Sequence, residues 1–406
     1  MGLLKIIFIV FLGLFPLGEL IRFDLGNFSI KPIDIAAILL FVVWVPQAFK
    51  KWKKNIISNN LFIPIILLAA TMCISLLLNI KNFSGNEIFV AFSYILRWIL
   101  YASLIFIVKS FQVKFKEKII YLLLSIGAVI IFLGFTQHFF YTSLRNLYYL
   151  GWDEHMYRMF STFLDPNFAG SFFVLYLIFL AGLLLNSLKN KISQVWFIGL
   201  ISIFTLVSVY LTYSRSALIM LIVSAFIFLT SAKKIKWLVL IICVSVLFIL
   251  TSSKNFYIEN INLFRIVSAE ARIDSAKVAI EIIKNNLFFG VGFNTYRYAQ
   301  VKYGFRNAVG SAESHADAGT DNSFLFIFAT TGIIGLIFYL NLLWVILKKS
   351  YLNYKQHKDK DIQKYIGLVV LASVGGIIID SFFVNSLFYS FVMIWIWILL
   401  GLIEKN

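Results

Sequence analysis

Charge is scarce in this sequence: Asp, Glu, Lys and Arg make up 14% of its 406 residues, against about a quarter in ordinary soluble proteins. A chain so short of polar side chains cannot cover a water-facing exterior, which excludes a soluble globular fold. Cysteine is nearly absent as well. Cys73 and Cys243 each lie inside an apolar run, with no CxxC or Cys/His spacing. Neither a zinc site nor a disulfide framework is expected, and both read as buried free thiols. The four histidines, His138, His155, His315 and His357, show no metal-ligand spacing either.

What fills the chain is apolar: 61% hydrophobic residues, 43 Phe and a mean hydropathy of +0.89. A bilayer core takes about 20 apolar residues as a helix, and the runs have that length. They predict an all-α polytopic membrane protein of about 12 transmembrane helices, at 4–20, 33–49, 61–80, 88–108, 118–139, 167–188, 194–213, 216–232, 236–252, 322–347, 364–380 and 384–403. The stretch from Val195 to Thr230 is too long for one span and is broken at Ser214-Arg215-Ser216. The N-terminus has Lys5, then an apolar stretch with no small-residue cleavage site, so it reads as an uncleaved first span.

Lys and Arg accumulate in cytoplasmic loops. With both termini cytoplasmic, the inner loops hold 21 basic and 4 acidic residues, and the outer segments 14 and 15. The net charge of +17 is then a topology signal, with no nucleic acid partner required. Inner loops are short. The longest contains Asp359-Lys360-Asp361, whose D-x-D spacing suits a metal-dependent sugar-nucleotide enzyme only inside a folded domain, and which reads as a solvated charge run. Residues 1–252 thus carry nine spans, 253–321 form one large extracytoplasmic loop between spans 9 and 10, and 322–406 carry three more.

Chemistry is therefore expected on the outer face. In the large loop, Ser268 to Asn286 has Ile273, Ala276, Ile280 and Ile283 at helical spacing. This predicts an amphipathic helix with Ser268 as N-cap and Gly290 and Gly292 ending it. Arg265 and Arg272 share one face of it. Arg215 interrupts an apolar stretch at an outer turn, where a guanidinium suits either phosphate or a lipid headgroup. Arg97, mid-span, needs a partner such as Asp34 or Asp380, or a polar cavity. Asp165 and Pro166 open span six as N-cap and first helical residue, leaving Asn167 for a ligand contact or a structural hydrogen bond. Ser314 to Leu336 brings His315, Asp317, Asp321 and Asn322 to the mouth of span ten, before Gly332 and Gly335, which permit close helix packing. Capping or general-base chemistry explains Asp321 equally well.

At these residues the chain resembles the O-antigen ligase and O-antigen polymerase superfamily of bacterial cell-surface polysaccharide enzymes. The points of resemblance are Pro166-Asn167 opening a span, Ser214-Arg215 at an outer turn, the helix from Arg272 followed by Asn-Asn-Leu-Phe-Phe-Gly-Val-Gly-Phe, and Asp321-Asn322-Ser-Phe-Leu ahead of Thr-Gly-Ile-Ile-Gly. The resemblance implies inverting transfer of an oligosaccharide from undecaprenyl pyrophosphate to an acceptor glycan or glycolipid. The site would lie on the extracytoplasmic face of the bacterial cytoplasmic (inner) membrane, with no cofactor, nucleotide or required metal, and with a chain-length regulator protein as a further partner. By position, Arg215, Arg272 and Arg265 take the pyrophosphate, and Asn322, Asn167 and Arg97 support.

Ligases of the family show His-Asn where this chain has Asp321-Asn322. The acceptor's proton then goes to Asp321 or His315, or to an outer carboxylate such as Glu313 or Asp317. The departure favours a repeat-unit polymerase for O-antigen, capsule or exopolysaccharide over a ligase transferring finished chains to lipid A core. A transporter or flippase of lipid-linked sugars is a further alternative, against which stand the lack of an internal repeat and the short Lys189–Ser193 connection. A non-enzymatic membrane scaffold is the last.

Overall fold

A computed structural model describes residues 2–25, 28–49, 59–191, 193–252, 263, 267–306 and 318–404. The apolar runs become the helices α1 (Gly2–Leu14), α2 (Pro32–Phe49), α3 (Phe62–Leu78), α4 (Gly85–Lys109), α5 (Val113–Phe140), α6 (Pro166–Asn190), α7 (Val195–Leu211), α8 (Arg215–Ser231) and α9 (Lys236–Ser252). Two polar helices, α10 (Val267–Asn285) and α11 (Tyr296–Lys302), follow. The apolar α12 (Ser323–Gln356), α13 (Ile362–Asp380) and α14 (Ser390–Ile403) complete the chain. Six of these, α2, α4, α5, α6, α12 and α13, are long and apolar enough to cross a membrane, and the other six apolar helices are shorter. The architecture is that of a mostly helical, polytopic membrane protein. Its outward residues suit lipid: Trp196 is 88% exposed and Phe132 70%.

Local chemistry sets the helix starts. Asp165 accepts from the backbone N–H groups of Asn167 and Phe168 with Pro166 as first helical residue, and Ser84 and Glu87 form a reciprocal capping box on α4. The long apolar stretch breaks where expected: α7 stops at Leu211, Tyr213 takes a left-handed φ of 49°, and Ser214 caps α8. Inside the bundle α13 packs against α6, α8 and α12. The backbones approach closely where side chains are small, as at Gly376, whose missing Cβ would meet Ser224. Trp395 of α14 is fully buried among Phe15, Phe172, Tyr176 and Phe179.

α12 is broken. Gly332 has non-helical φ 70° and ψ −172°. The segment after α10 dovetails into the break, with Val291 N–H donating to Ala329 O (2.9 Å), Gly292 N–H to Thr330 O (3.1 Å) and Ile333 N–H to Leu287 O (2.8 Å). Ser75 of α3 donates to the carbonyls of both Phe289 and Thr330. Irregular backbone at membrane depth is tolerated only when protein groups satisfy it, and here they do. A Cβ on Gly332 would lie 2.1 Å from Phe288 O, and one on Gly290 2.4 Å from the Thr330 carbonyl carbon. These glycines therefore serve a loop-to-helix lock. The expected roles differ: Gly290 does not end α10, which stops at Asn285, and Gly332 admits a loop rather than a neighbouring helix.

The connections sort to two ends. At one end Lys349 meets Asn59 and Glu404, Lys116 donates to Glu404 O, and Asn190 to Lys360 O. At the other end lie a two-stranded hairpin, β1 (Phe23–Leu25) and β2 (Phe28–Ile30), the 141–165 connection, α10, α11 and residues 381–389.

Candidate functional site

A cavity of about 650 Å³ opens among those second-end connections. Its floor reaches Arg97, midway along the 25 residues of α4. Arg97 donates to Asp34 (3.0 Å) and to Ser29 O, and its guanidinium lies 4.7 Å from the Tyr94 ring centre and 4.9 Å from that of Phe28. Tyr101 Oη donates to the other oxygen of Asp34, and Lys31 N–H adds a third hydrogen bond at 2.9 Å. Of the two partners expected for Arg97, Asp34 is the one used, and Asp380 instead accepts from Ser171 (2.6 Å). Arg97 is both paired and cavity-lining.

One wall belongs to α10, α11 and the entrance of α12. It brings together Arg272, Arg297 and Asp321. Asn322, not Asp321, is the N-cap of α12: its side-chain oxygen accepts from Phe324 N–H (2.8 Å) and Leu325 N–H (3.0 Å). That removes the capping explanation for Asp321 and leaves its carboxylate facing the cavity. Asp321 is exposed to the cavity space, yet protein crowds it closely. Burial pushes its carboxyl above the ordinary range, the nearby charges of Asp165 and Asp153 push the same way, and Arg272 opposes them.

Asp165, whose charge acts on Asp321, is also raised by burial, against the pull of Arg158, the capped N–H groups and Arg272. His155 Nε2 is 3.8 Å from Asp165, and His155, Asp153 and Asp165 all line the cavity. These three escaped the sequence reading as site residues, since only their convergence in space joins them to Asp321. Among the described residues no three of His, Cys, Asp or Glu are grouped as metal ligands.

Asn167 lines the same cavity and ties the elements behind it. Its side-chain oxygen accepts from Ser214 Oγ (3.0 Å) and Arg158 Nη2 (3.3 Å), while Arg158 Nε donates to Thr212 O (2.8 Å). The 166–167 and 214–215 motifs, 47 residues apart, thus meet through one amide. Arg215 itself is not among the lining residues. Its Nη2 donates to Ser268 Oγ (2.6 Å) in the first turn of α10, so Ser268 receives a guanidinium there. Of the expected site residues, the cavity gathers Arg272, Asp321, Asn167 and Arg97. Asn322 and Arg215 stand directly behind it, and Arg265 and His315, with Glu313 and Asp317, lie outside the described residues.

No curated protein matches the chain. Residues 200–340, which include Arg215, Arg272, Asp321, Asn322 and the glycine lock, match the family model described as O-antigen ligase, so this third of the chain is similar to that family.

Proposed function

We propose that the protein transfers an oligosaccharide from undecaprenyl pyrophosphate to an acceptor glycan on the extracytoplasmic side of the bacterial cytoplasmic membrane, and that it is a repeat-unit polymerase. The observation that carries this reading is the placement of Arg272 and Asp321 on one wall of a single cavity at the end of the bundle away from the lysine-rich connections. Lysine-rich connections are expected at the cytoplasmic end, which supports an outward-facing cavity.

In the proposed step the acceptor's hydroxyl oxygen attacks the anomeric carbon, and the bond from that carbon to the pyrophosphate oxygen breaks. The hydroxyl proton passes to the Asp321 carboxylate. Undecaprenyl pyrophosphate leaves with the bonding electrons, its growing charge met by Arg272 and Arg297. Preorganised cations at a developing charge are worth a few kcal/mol each. A carboxylate with a raised pKa is a better base for a hydroxyl than an ordinary one. Arg215, through Ser268, fixes the first turn of the helix that carries Arg272.

The match to a family described as O-antigen ligase favours a second reading, in which finished chains go to lipid A core or another acceptor. Asp321 in place of the ligases' His favours polymerisation. Purified protein in nanodiscs with a lipid-linked repeat unit and no nucleotide decides: glycan growth with release of undecaprenyl pyrophosphate supports a polymerase. Transfer only after an added glycolipid acceptor means a ligase, and movement of the lipid across the bilayer with its sugar length unchanged refutes both.

A further inference from the structure

The cavity's second wall, formed by Glu19, Arg22 and Lys31 of the α1–α2 connection with Trp152, takes no part in the transfer step and lies outside the family-matched residues 200–340. At its centre Lys31 Nζ and Glu19 Oε1 pair at 2.5 Å, with both side chains less than one-tenth exposed and both lining the cavity. Lys31 Nζ also lies 5.2 Å from the Phe391 ring centre. Beside them the Arg22 guanidinium sits 5.7 Å from the centre of the Trp152 ring, which faces the same space.

A buried ion pair adds little net stability compared with apolar packing. What it does supply here is a donor and an acceptor held in fixed positions at a cavity surface. Glu19 offsets the charge of Lys31, so this pair is a poor anchor for a pyrophosphate, whose proposed countercharge is on Arg272. It suits neutral, hydroxyl-rich matter: a carboxylate accepts from a sugar hydroxyl, an ammonium donates to one, and an indole offers an apolar face with a polar edge. A site built to hydrogen-bond hydroxyls also discriminates strongly against ligands lacking them.

Resting on the transfer reading above, we infer that this wall is the acceptor-glycan subsite: Glu19 and Lys31 hydrogen-bond hydroxyls of the acceptor's terminal sugars, and Trp152, backed by Arg22, takes a sugar face. The α10–α12 wall thus holds the lipid pyrophosphate and the second wall chooses the glycan.

The test uses the full chain in nanodiscs with two separate probes: the repeat-unit oligosaccharide freed of lipid and phosphate, and undecaprenyl pyrophosphate. Glu19→Gln and Trp152→Ala are each expected to weaken oligosaccharide binding about tenfold and to leave undecaprenyl pyrophosphate binding unchanged, while Arg272→Ala does the reverse. In turnover, Trp152→Ala raises KM for the acceptor with kcat little altered. Trp152 is only partly buried, so its variant keeps the test open if Glu19→Gln does not fold. Oligosaccharide binding that is unchanged in Trp152→Ala, or absent from a native chain that still polymerises, overturns the subsite alone. A native chain that neither binds undecaprenyl pyrophosphate nor extends glycan overturns the transfer reading instead.

Discussion

The two walls of the cavity differ in how their charged groups are held. On the α10–α12 wall, Asp321 stands free of the helix cap because Asn322 takes that duty, and its nearest electrostatic company is mixed: Arg272 against Asp165 and Asp153. Elsewhere in the lining and at the floor, Lys31 pairs with Glu19 and Arg97 with Asp34. A paired buried charge is fixed in place by its partner, whereas a carboxylate pressed by burial and like charge is ready to take a proton. One wall is arranged to react and the other to hold.

The reactive wall depends on the lock between the 287–292 segment and the break in α12, and breaking it should have the largest effect. Gly332→Val places a side chain where backbone already lies and forces a β-branched residue to φ 70°. A loss of about 3 kcal/mol or more is expected, read as a collapse of folded yield and melting temperature. Gly199→Val, at a position open to its surroundings, is the control, and equal behaviour of the two variants would remove the lock from the account.

Next come the reacting groups. Arg272→Ala and Asp321→Asn are each expected to lower the transfer rate about 100-fold or more with melting temperature little changed. The pH profile sharpens this. Because Asp321 is raised, the rate should fall as pH drops through its elevated pKa, where the base becomes protonated. Asp153→Asn removes one like charge and should move that acid limb to lower pH, while Asp321→Asn should abolish it. A limb unmoved by either change would assign the proton to another group.

The supporting contacts should matter least. Asn167→Ala removes the acceptor shared by Ser214 and Arg158 and should cost about 1–2 kcal/mol of stability, measured by thermal unfolding. Arg215→Ala and Ser268→Ala should match each other and cut the rate only a few-fold, far less than Arg272→Ala. An Arg215→Ala variant as inactive as Arg272→Ala would give Arg215 a direct part in binding the pyrophosphate.

Much of the helical frame was legible because apolar runs of membrane length leave few alternatives, and the interruption at Ser214-Arg215 could only be a turn. Arg272 and Asp321 were legible as parts of local motifs. Three things were not. The choice between Asp321 and Asn322 as cap depends on which side chain reaches the N–H groups of residues 324 and 325, and composition does not report that. The roles of Gly290 and Gly332 need each other's backbone, 42 residues apart. The second wall is made by pairs such as Glu19–Lys31 and by His155 meeting Asp165, which carry no motif because the fold alone brings them to the cavity.

The central claim is that transfer occurs in this cavity, with Asp321 as base and Arg272 on the leaving pyrophosphate. The most direct measurement is donor binding and single-turnover glycan transfer in the same nanodisc preparation, for the native chain, Asp321→Asn and Arg272→Ala. The expected result is that Asp321→Asn binds lipid-linked repeat unit as the native chain does but transfers it about 100-fold more slowly, while Arg272→Ala is impaired in both. Native transfer rates in Asp321→Asn and Arg272→Ala would contradict the account.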